Sequence, residues 1–484
     1  MANKDASLHI FFFPFLAHGH TIPCIDMAIL FAAKGVRTTI ITTPLNAPII
    51  SKAIEKAKTH QTKEINIQTI KFPSTDDTGL PQGCEHVSTL PSLHLLPAFH
   101  KATRLLQEPF EQLLREQHPN CVVADMFFPW TTDSATKFGI PRLVFHGMSF
   151  FSLCAYEVMR LYEPYNNTSF DSELFLLPNF PGEIKMTRLQ VGSFFRKDDV
   201  EAKRFWKQIH ESEVRSYGVV VNSFYEVEKD YADHYKKEFG RKAWAIGPLS
   251  LCNKEKEQKT CRGGKEACVD ENAWLKWLNT KTTGSVVYVC FGSMTEFPDS
   301  QFREIALGLE ASGKEFMWVV GKRKENKEDQ WLPEGFEKRM KEKGIIVRGW
   351  APQALILEHE AIGAFVTHCG WNSTLEGVVA GVPMITWPVG AEQFYNERLV
   401  IEVLKIGVAV GARKWSHFVG DEDGDIKWDA VEMAVKRVME EEEGEGMRNR
   451  AKLFAHMAKR AVEEGGSSYS NLDALLQELA SLSH

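Results

Sequence analysis

The sequence predicts an α/β protein built from two doubly wound domains that face each other across a cleft. Three observations support this prediction. The chain has 484 residues, which is too long for one hydrophobic core. Apolar runs of strand length alternate with helical stretches in both halves, which is typical of parallel sheets covered by helices. A charged stretch at 253–272 separates the two series, and its composition predicts an exposed linker.

The first series predicts a domain over residues 1–252. HIFFFPF is the first strand, a helix follows from about Ile22 to Lys34, and VRTTIITTP is the next strand. CVVAD, the helical stretch TTDSATKFGI and the strand PRLVFHG repeat the unit. GVVVNSF and AWAIGPL are the last predicted strands of this domain.

The second series predicts a domain over residues 273–466. Its strands are SVVYVCFGS, FMWVVG, GIIVRGW, AFVTHCG, PMITWP and VAVG, and a helix covers about Gln301 to Ala311. In doubly wound sheets ligands bind beyond the carboxyl ends of the strands. We therefore look for chemistry in the residues that directly follow each strand.

Composition excludes several classes of function. The net charge of −7 argues against a nucleic-acid or anionic-membrane partner, because both reward basic surfaces. No run of eighteen apolar residues is present, and LHIFFFPFLA lacks the basic flank of a signal peptide and is interrupted by Pro14. Nine scattered cysteines indicate reduced thiols. These features together predict a cytoplasmic protein.

The end of AFVTHCG carries two competing interpretations. Ser373 and Glu376 have the spacing of a capping box, which predicts a well-capped helix start. A helix start after a glycine turn is also a site for an anion, since its N–H groups are free and its dipole is positive. Only the anion site explains His368 on the preceding strand, where it can donate to a phosphate.

Three further strand ends extend this site. The turn FGS places Ser293 where a hydroxyl can approach a phosphate, although Gly-Ser turns are common in any such connection. Trp350 follows a strand and can stack on a nucleobase, with core packing as its alternative. Glu392 and Gln393 follow WPVG and suit sugar hydroxyls, with a solvated loop as the alternative. Together these residues predict a pocket for a base, a ribose, a diphosphate and a sugar; neither a GxGxxG nor a P-loop motif is present.

The first half supplies a candidate general base. PFLAHGHTIP places His18 and His20 at the end of the first strand, and an imidazole with a pKa near 6.5 suits proton removal from a hydroxyl at neutral pH. A base of this kind needs an orienting acceptor. Asp125 ends the strand CVVAD and is the favoured partner for His20. Asp133 on the following helix is the alternative, and a purely structural role is the other possibility for Asp125.

Residues Trp350–Gln393 contain the landmarks W-x-P-Q, H-C-G-W-N-S and E-Q. This stretch resembles the box of the plant secondary-product glycosyltransferases, the UDP-sugar-dependent enzymes of glycosyltransferase family 1, and the resemblance extends over the whole chain. It implies a GT-B fold, a C-terminal helix at 467–484 packed back on the first domain, and inverting transfer of a sugar. It also implies UDP-glucose as co-substrate, no metal or other cofactor, and a monomer.

The resemblance assigns a role to each residue of the box. Trp350 would stack on uracil with Ala351 and Gln353 nearby, and Glu376 would hold the ribose. The diphosphate would be held by His368, Asn372 and Ser373, helped by Ser293. Trp371, Glu392 and Gln393 would line the sugar, and Gln393 is associated with UDP-glucose. His20 would be the catalytic base and Asp125 its partner.

The acceptor pocket is expected in the first domain, and its predicted lining is Phe15, His18, Phe145, Gly147 and Met148, with Gly390 from the second domain. The apolar character of these stretches suits a flat or polycyclic hydroxylated acceptor. Flavonoids and other phenolics lead over triterpenoids and steroid-like molecules. A non-catalytic nucleotide-sugar binder is the competing class, but binding alone needs neither His20 nor Asp125. A phosphorylase or a sugar-polymer synthase of the same fold lacks a signal in the sequence.

Overall fold

A computed structural model describes residues 8–57, 64–196, 200–260, 262, 271–321, 331–416 and 426–482, with the backbone alone at 57 and 271–273. Two parallel sheets form separate layers, and helices cover both faces of each. This arrangement confirms the predicted α/β architecture of two doubly wound halves. None of the helices in these ranges is long and apolar enough to span a bilayer.

The first sheet is formed by seven strands in the spatial order β3-β2-β1-β4-β5-β8-β9. All neighbours in it are parallel, and β1 lies between β2 and β4. The strands are β1 His9–Phe13, β2 Arg37–Thr42, β3 Ile65–Thr69, β4 Cys121–Asp125, β5 Arg142–Phe145, β8 Gly218–Val221 and β9 Ala243–Ala245. A separate antiparallel hairpin consists of β6 Leu174–Leu176 and β7 Lys185–Thr187.

The helices of this half connect and cover its strands. They are α1 His18–Ala33, α2 Ala47–Ala57, α3 Thr75–Thr78, α4 Leu96–Arg104, α5 Gln107–Gln117, α6 Thr131–Lys137, α7 Phe150–Tyr162, α8 Ser193–Arg196, α9 Val200–Arg215 and α10 Tyr225–Glu238. Strands such as HIFFF and CVVAD are buried along their whole length, because helices cover both faces of the sheet.

The second sheet has six strands in the order β12-β11-β10-β13-β14-β15, again all parallel. They are β10 Val286–Cys290, β11 Glu315–Val320, β12 Gly344–Arg348, β13 Ile362–Thr367, β14 Met384–Thr386 and β15 Gly407–Ala409. The helices of this half are α11 Lys256–Thr260, α12 Glu271–Leu278, α13 Asp299–Ser312, α14 Phe336–Met340, α15 Gln353–Leu357, α16 Trp371–Ala380, α17 Gln393–Arg398, α18 Trp428–Met439 and α19 Glu442–Val462.

Helix α1 begins earlier than the sequence predicts. We expected a start near Ile22, yet the helix begins at His18 and contains Pro23. Proline removes the N–H that would bond the carbonyl four residues earlier, and here that carbonyl belongs to Gly19. The Gly19 oxygen instead accepts from the Asn372 side chain at 2.7 Å. The extra turn places His20 inside the first turn of the helix.

The charged stretch at 253–272 is not uniformly exposed, and that part of the prediction is wrong. Asn253 and Gln258 are buried, and the side chain of Arg262 is only 10% exposed. Residues Lys256–Thr260 form the short helix α11. A charge-rich composition predicts exposure only if the charges are unpaired. Here Arg262 is buried because it pairs with the carboxylates of Asp26 and Glu376. The other residues of this stretch, 261 and 263–270, lie outside the described ranges.

The final helix, α20 Ser467–Ser481, contacts the first half of the chain. Its Leu472, Leu475 and Leu479 belong to the same buried cluster as strand β1 and helix α1. Lys34 of α1 forms an ion pair with Asp473 at 2.7 Å. This helix therefore ties the end of the chain to the first sheet.

Candidate active site

His20 and Asp125 meet where β1 and β4 end. These strands are neighbours, with Phe13 opposite Ala124, so their carboxyl ends lie side by side. His20 Nδ1 lies 2.6 Å from Asp125 Oδ2, and Asp125 Oδ1 accepts from the Phe127 N–H at 3.0 Å. The Asp125 side chain is fully buried, whereas that of His20 is 21% exposed. Because Asp125 holds Nδ1, Nε2 is the nitrogen left to take a proton.

Two opposing effects set the protonation of His20. Burial lowers the pKa of its imidazole, but the charge of Asp125 and the hydrogen bond to it raise the pKa by more, so the net shift is upward. The carboxylate of Glu392, from the second half of the chain, adds to this rise. An oriented imidazole with this environment is suited to accept a proton from a hydroxyl group.

Asp133, the alternative partner for His20, lies elsewhere. It is on α6, its side chain is 59% exposed, and it forms an ion pair with Arg215. Its carboxylate therefore belongs to the surface, and the geometry leaves Asp125 as the partner of His20.

Arg142 is a residue of this region that sequence reasoning missed. It starts β5 and is buried, and its Nη2 donates to the backbone carbonyl of Asp125 at 2.9 Å. Its Nη1 donates to the Thr132 hydroxyl at 2.7 Å. Burial lowers its pKa to about 10. A charged residue at the start of a strand suggests a surface position, so no local signal could have indicated this contact.

In the second half, two glycines form a close cradle around His368, which directly follows β13. A Cβ atom on Gly292 would lie 2.7 Å from the imidazole, and one on Gly370 would lie 2.5 Å from Nε2. Side chains at either position would displace the ring. Burial lowers the pKa of His368 to about 4, and its Nδ1 has no hydrogen-bond partner. His368 is therefore a neutral ring with polar capacity unused.

Helix α16 begins directly beside this ring. Its first residue is Trp371, and its N-cap is Gly370, which has no side chain that could cap the helix. Ser373 and Glu376 thus lie inside the helix, so the capping-box interpretation is wrong. The Trp371 N–H donates to Glu392 at 3.2 Å. Although Glu392 takes this first N–H, the N–H groups of Asn372 and Ser373 and the positive dipole end are left for an anion.

Glu376 already has two partners. Gln353, at the start of α15, donates to Glu376 at 2.8 Å and to the Ser373 hydroxyl at 2.9 Å. The guanidinium of Arg262 donates to the other Glu376 oxygen and to Asp26 of α1, the latter at 2.7 Å. Burial raises the pKa of Asp26 although the charge of Arg262 opposes the rise. Arg262, which sequence reasoning missed, therefore bridges carboxylates from the two halves.

Two more residues of the predicted donor set reach across to the first half. The indole N–H of Trp371 donates to the backbone carbonyl of Asn222 at 2.7 Å, and Trp371 is only 2% exposed. The Asn372 amide donates to the Gly19 carbonyl that Pro23 leaves without a helical partner. Both contacts bring the start of α16 close to His20.

Glu392 and Gln393 lie at the start of α17. The Gln393 side-chain oxygen accepts from the backbone N–H groups of Val389 and Gly390, at 2.8 and 2.9 Å. Only its amide N–H groups are left to donate to another molecule. Burial raises the pKa of Glu392, whose carboxylate also accepts from Asn396 at 3.3 Å. This turn forms a polar wall beside His20.

Trp350 and Ser293 mark the outer part of the site. The Trp350 ring is half-buried and lies 6.3 Å from the His18 ring, which itself packs on His86 at 4.2 Å. Ala351 is buried next to it. Ser293 follows β10 and is exposed beside Gly292. Trp350 thus presents its ring at the boundary between the two halves.

The residues predicted to line an acceptor pocket divide into two groups. Phe15 contacts His20, with ring centroids 5.7 Å apart, and a Cβ on Gly147 would lie 3.7 Å from the same imidazole. Met148 is buried in the adjoining core cluster. Phe145 is 1% exposed and packs with α1 in the core, so it is a core residue and not part of the cleft wall.

Comparison with known proteins gives matches over the whole chain. Residues 201–440 match the family described as UDP-glucoronosyl and UDP-glucosyl transferase, and residues 6–251 match the glycosyltransferase N-terminal domain. The chain is 56% identical over 477 residues to scopoletin glucosyltransferase of Nicotiana tabacum, covering 98% of both proteins. It is 55% identical over 480 residues to UDP-glucose flavonoid 3-O-glucosyltransferase 7 of Fragaria ananassa, covering 98% of this chain and 96% of the relative.

A solved structure agrees with these matches. The crystal structure of Glycyrrhiza uralensis UGT73P12, complexed with glycyrrhetinic acid 3-O-monoglucuronide, superposes with a TM-score of 0.91 at 42% identity. The match covers 99% of this chain and 96% of that one. Fold, sequence and site geometry agree: the chain belongs to the plant UDP-dependent glycosyltransferases and is a UDP-glycosyltransferase with the GT-B fold.

Proposed function

We propose that this enzyme transfers glucose from UDP-glucose to a hydroxyl of a small phenolic acceptor with inversion at the anomeric carbon, and that His20 is the catalytic base. The observation that carries this proposal is the 2.6 Å hydrogen bond between His20 Nδ1 and the buried Asp125 carboxylate. That bond fixes the ring and directs Nε2 outward. Binding of a nucleotide sugar alone has no use for such a pair.

In the proposed reaction, Nε2 of His20 takes the proton of the acceptor hydroxyl as its oxygen attacks the anomeric carbon. The bond from that carbon to the diphosphate oxygen breaks on the opposite face, and its electron pair leaves with UDP. An α-linked donor then gives a β-glucoside. Asp125 stabilises the imidazolium that forms, as the acidic member of a hydrolase triad does.

The donor is assigned to the strand ends of the second sheet. The start of α16, whose N-cap is a glycine, and the imidazole of His368 would hold the diphosphate, with Asn372, Ser373 and Ser293 alongside. Trp350 would stack on uracil, and Glu376 would accept from the ribose hydroxyls beside Arg262. Glu392, Trp371 and the Gln393 amide would border the glucose. We propose that the reaction needs no metal ion.

The acceptor is assigned to the phenolic class because of the aromatic side chains around His20. Phe15 and Phe127 both lie within 6 Å of its ring. The relatives named for scopoletin and flavonoid substrates are more than half identical to this chain. A triterpenoid acceptor is the second candidate, because a structure of 42% identity was solved with a glycyrrhetinic acid derivative. We further propose that the enzyme acts as a cytoplasmic monomer.

Donor-resolved turnover tests this proposal. Purified enzyme is incubated with UDP-glucose, UDP-galactose or UDP-glucuronate and with a flavonol, a coumarin or an oleanane acceptor. The products are separated by chromatography, and their masses are measured by mass spectrometry. We expect a hexose gain on the phenolic acceptors with UDP-glucose and its loss in His20→Ala. Transfer that persists in His20→Ala contradicts the assigned base. UDP binding without transfer to any acceptor supports a nucleotide-sugar binder instead.

A further inference from the structure

A histidine that the reaction does not use lies beside the catalytic pair. His100, on α4, stacks on Phe15 with centroids 5.2 Å apart and an interplanar angle of 9°. Its ring also lies 5.2 Å from Phe127 and 4.8 Å from Phe205. Phe15 and Phe127 in turn contact His20. We call Phe15, His100, Phe127 and Phe205 the aromatic compartment.

Three of the four residues of the aromatic compartment remain partly accessible. Phe15 is buried, but His100, Phe127 and Phe205 are each half-buried. Phe127 lies two residues after Asp125, the end of β4, and Phe15 and Phe127 both contact His20, so the compartment lies at the same sheet edge as His20. Aromatic faces left partly accessible next to a catalytic base are suited to a flat, apolar ring.

The imidazole of His100 is unexplained by packing alone. Its Nδ1 is buried without a hydrogen-bond partner, and such an atom costs free energy that a phenylalanine at the same position would not. Burial lowers its pKa to about 4, although the nearby charge of Asp125 opposes the shift. At neutral pH the ring is therefore uncharged and carries one N–H donor and one lone pair. Because Nδ1 is buried, it is out of reach of a ligand, and Nε2, which is not buried in this way, is the nitrogen that can donate its N–H to one.

We propose that His100 is a specificity-determining residue of the acceptor site, where its imidazole hydrogen-bonds a second oxygen of a planar phenolic acceptor whose reacting hydroxyl lies at His20. This inference rests on the proposed function. It narrows the acceptor to flat aromatic molecules that carry a ring oxygen, carbonyl or further hydroxyl in addition to the hydroxyl that is glucosylated. A site built to hydrogen-bond a substrate oxygen discriminates against analogues that lack it.

The test compares 7-hydroxycoumarin with 2-naphthol. Both are flat bicyclic molecules with one hydroxyl, and only the coumarin has lactone oxygens. The ratio of their kcat/KM values is measured in the wild type, His100→Phe and His100→Gln, so that intrinsic reactivity cancels between variants. His456→Phe, an exposed histidine on α19, is the matched control. Melting temperatures with and without UDP check that each variant folds and binds the nucleotide.

We expect His100→Phe to lower the ratio about tenfold, mainly through the KM for 7-hydroxycoumarin, since one hydrogen bond of about 1.4 kcal/mol corresponds to that factor. Turnover of 2-naphthol should stay within about twofold, because the aromatic packing is kept. His100→Gln should restore part of the preference. An unchanged ratio, an equal loss for both acceptors, or no preference in the wild type overturns the inference. A wild type that glucosylates neither acceptor overturns the phenolic assignment of the proposed function itself.

Discussion

The strand ends of the first sheet and those of the second sheet carry polar groups in two different states. In the first, the Asp125 carboxylate is held by His20 and by the Phe127 N–H, and Arg142 donates to the Asp125 backbone carbonyl. In the second, His368 has an unpartnered nitrogen and the N-cap of α16 is a glycine. The base is therefore preorganised within the protein, whereas the donor side keeps hydrogen-bonding capacity for a ligand.

Several polar residues of the predicted donor site form hydrogen bonds between the two halves of the chain. Trp371 and Asn372 donate to backbone carbonyls of the first half, and Arg262 joins Asp26 to Glu376. Residues of the predicted donor site thus also hold the two halves together. A ligand that recruits Glu376 or Asn372 must share or replace these contacts, which links donor binding to the fit between the halves.

Loss of the Asp125 carboxylate should reduce activity more than any other change considered below. Asp125→Asn should lower kcat about 10²- to 10³-fold, because the amide neither stabilises an imidazolium nor holds the same tautomer of His20. The melting-temperature increase caused by UDP should be unchanged, since the donor side is intact. Asp133→Asn is the matched control and should retain wild-type kcat, because Asp133 is exposed. Equal losses in both variants would argue against the His20–Asp125 assignment.

The next effect concerns the bridge between the halves. Arg262→Gln leaves the Asp26 and Glu376 carboxylates buried without their cation, which costs about 3 kcal/mol and should lower the melting temperature by about 5 °C. Thermal unfolding followed by circular dichroism measures this change. Lys259→Gln, which removes the partly exposed pair with Glu358, is the control and should shift the transition by about 1 °C or less. A wild-type transition in Arg262→Gln would show that the bridge adds no stability.

A smaller effect is expected from a substitution that disturbs only the donor site around His368. Gly370→Ala places a Cβ against His368 without requiring an unusual backbone conformation, because Gly370 has a φ of −59°. Displacement of the ring should raise the KM for UDP-glucose about tenfold while kcat at saturating donor changes little. Gly321→Ala, where an added Cβ meets open space, should leave both constants unchanged. A fall in kcat alone would mean that His368 does not act through donor binding.

The pH dependence of wild-type activity tests the protonation state of His20. His20 must be neutral to accept a proton, and Asp125 raises its pKa above the ordinary 6.5 after the opposing effect of burial. The kcat/KM for the acceptor should therefore fall on the acid side with an apparent pKa above 6.5. An acid limb below this value, measured with saturating UDP-glucose, would contradict the proposed effect of Asp125 on the base in the donor-bound enzyme.

The pKa values of two buried carboxylates, one in each half, are shifted in opposite directions. In the first, His146 and Arg241 more than offset the burial of Glu213 and lower its pKa to about 2. In the second, burial raises the pKa of Glu397 to about 7, and the Thr386 hydroxyl that donates to it only partly opposes this. The unfolded chain releases this proton near 4.5, so Glu397 costs stability as the pH rises from about 4.5 through 7.

Glu397→Gln should therefore be more stable than the wild type at pH 8 by an amount on the order of 1 kcal/mol, and this advantage should shrink towards pH 5. Melting temperatures at both pH values measure the difference. An advantage that is the same at pH 5 and pH 8 would show that ionisation of Glu397 does not contribute.

The fold and the positions of the principal groups followed from the sequence because strand-length apolar runs and their carboxyl ends are local features. HIFFF and CVVAD predict buried parallel strands, and His20 and Asp125 are placed by the ends of those strands. Helix starts were less predictable: α1 begins at His18, before its internal proline, and α16 begins at Trp371 and not after a Ser373 cap. Helix propensity is a weak guide where a tertiary contact replaces a missing helical hydrogen bond. Here the Asn372 amide donates to the Gly19 carbonyl, for which Pro23 has no N–H.

The sequence alone is sufficient to predict two doubly wound domains, the family, and which strand ends carry the base and the donor residues. Three features are visible only in the folded protein: Arg262 bridges Asp26 and Glu376, Arg142 holds the Asp125 backbone, and His100 lies in an aromatic wall beside His20. Periodicity and turn chemistry act over a few residues, whereas these contacts join groups from 17 to 236 residues apart in the chain. Their energies depend on burial that no local pattern encodes.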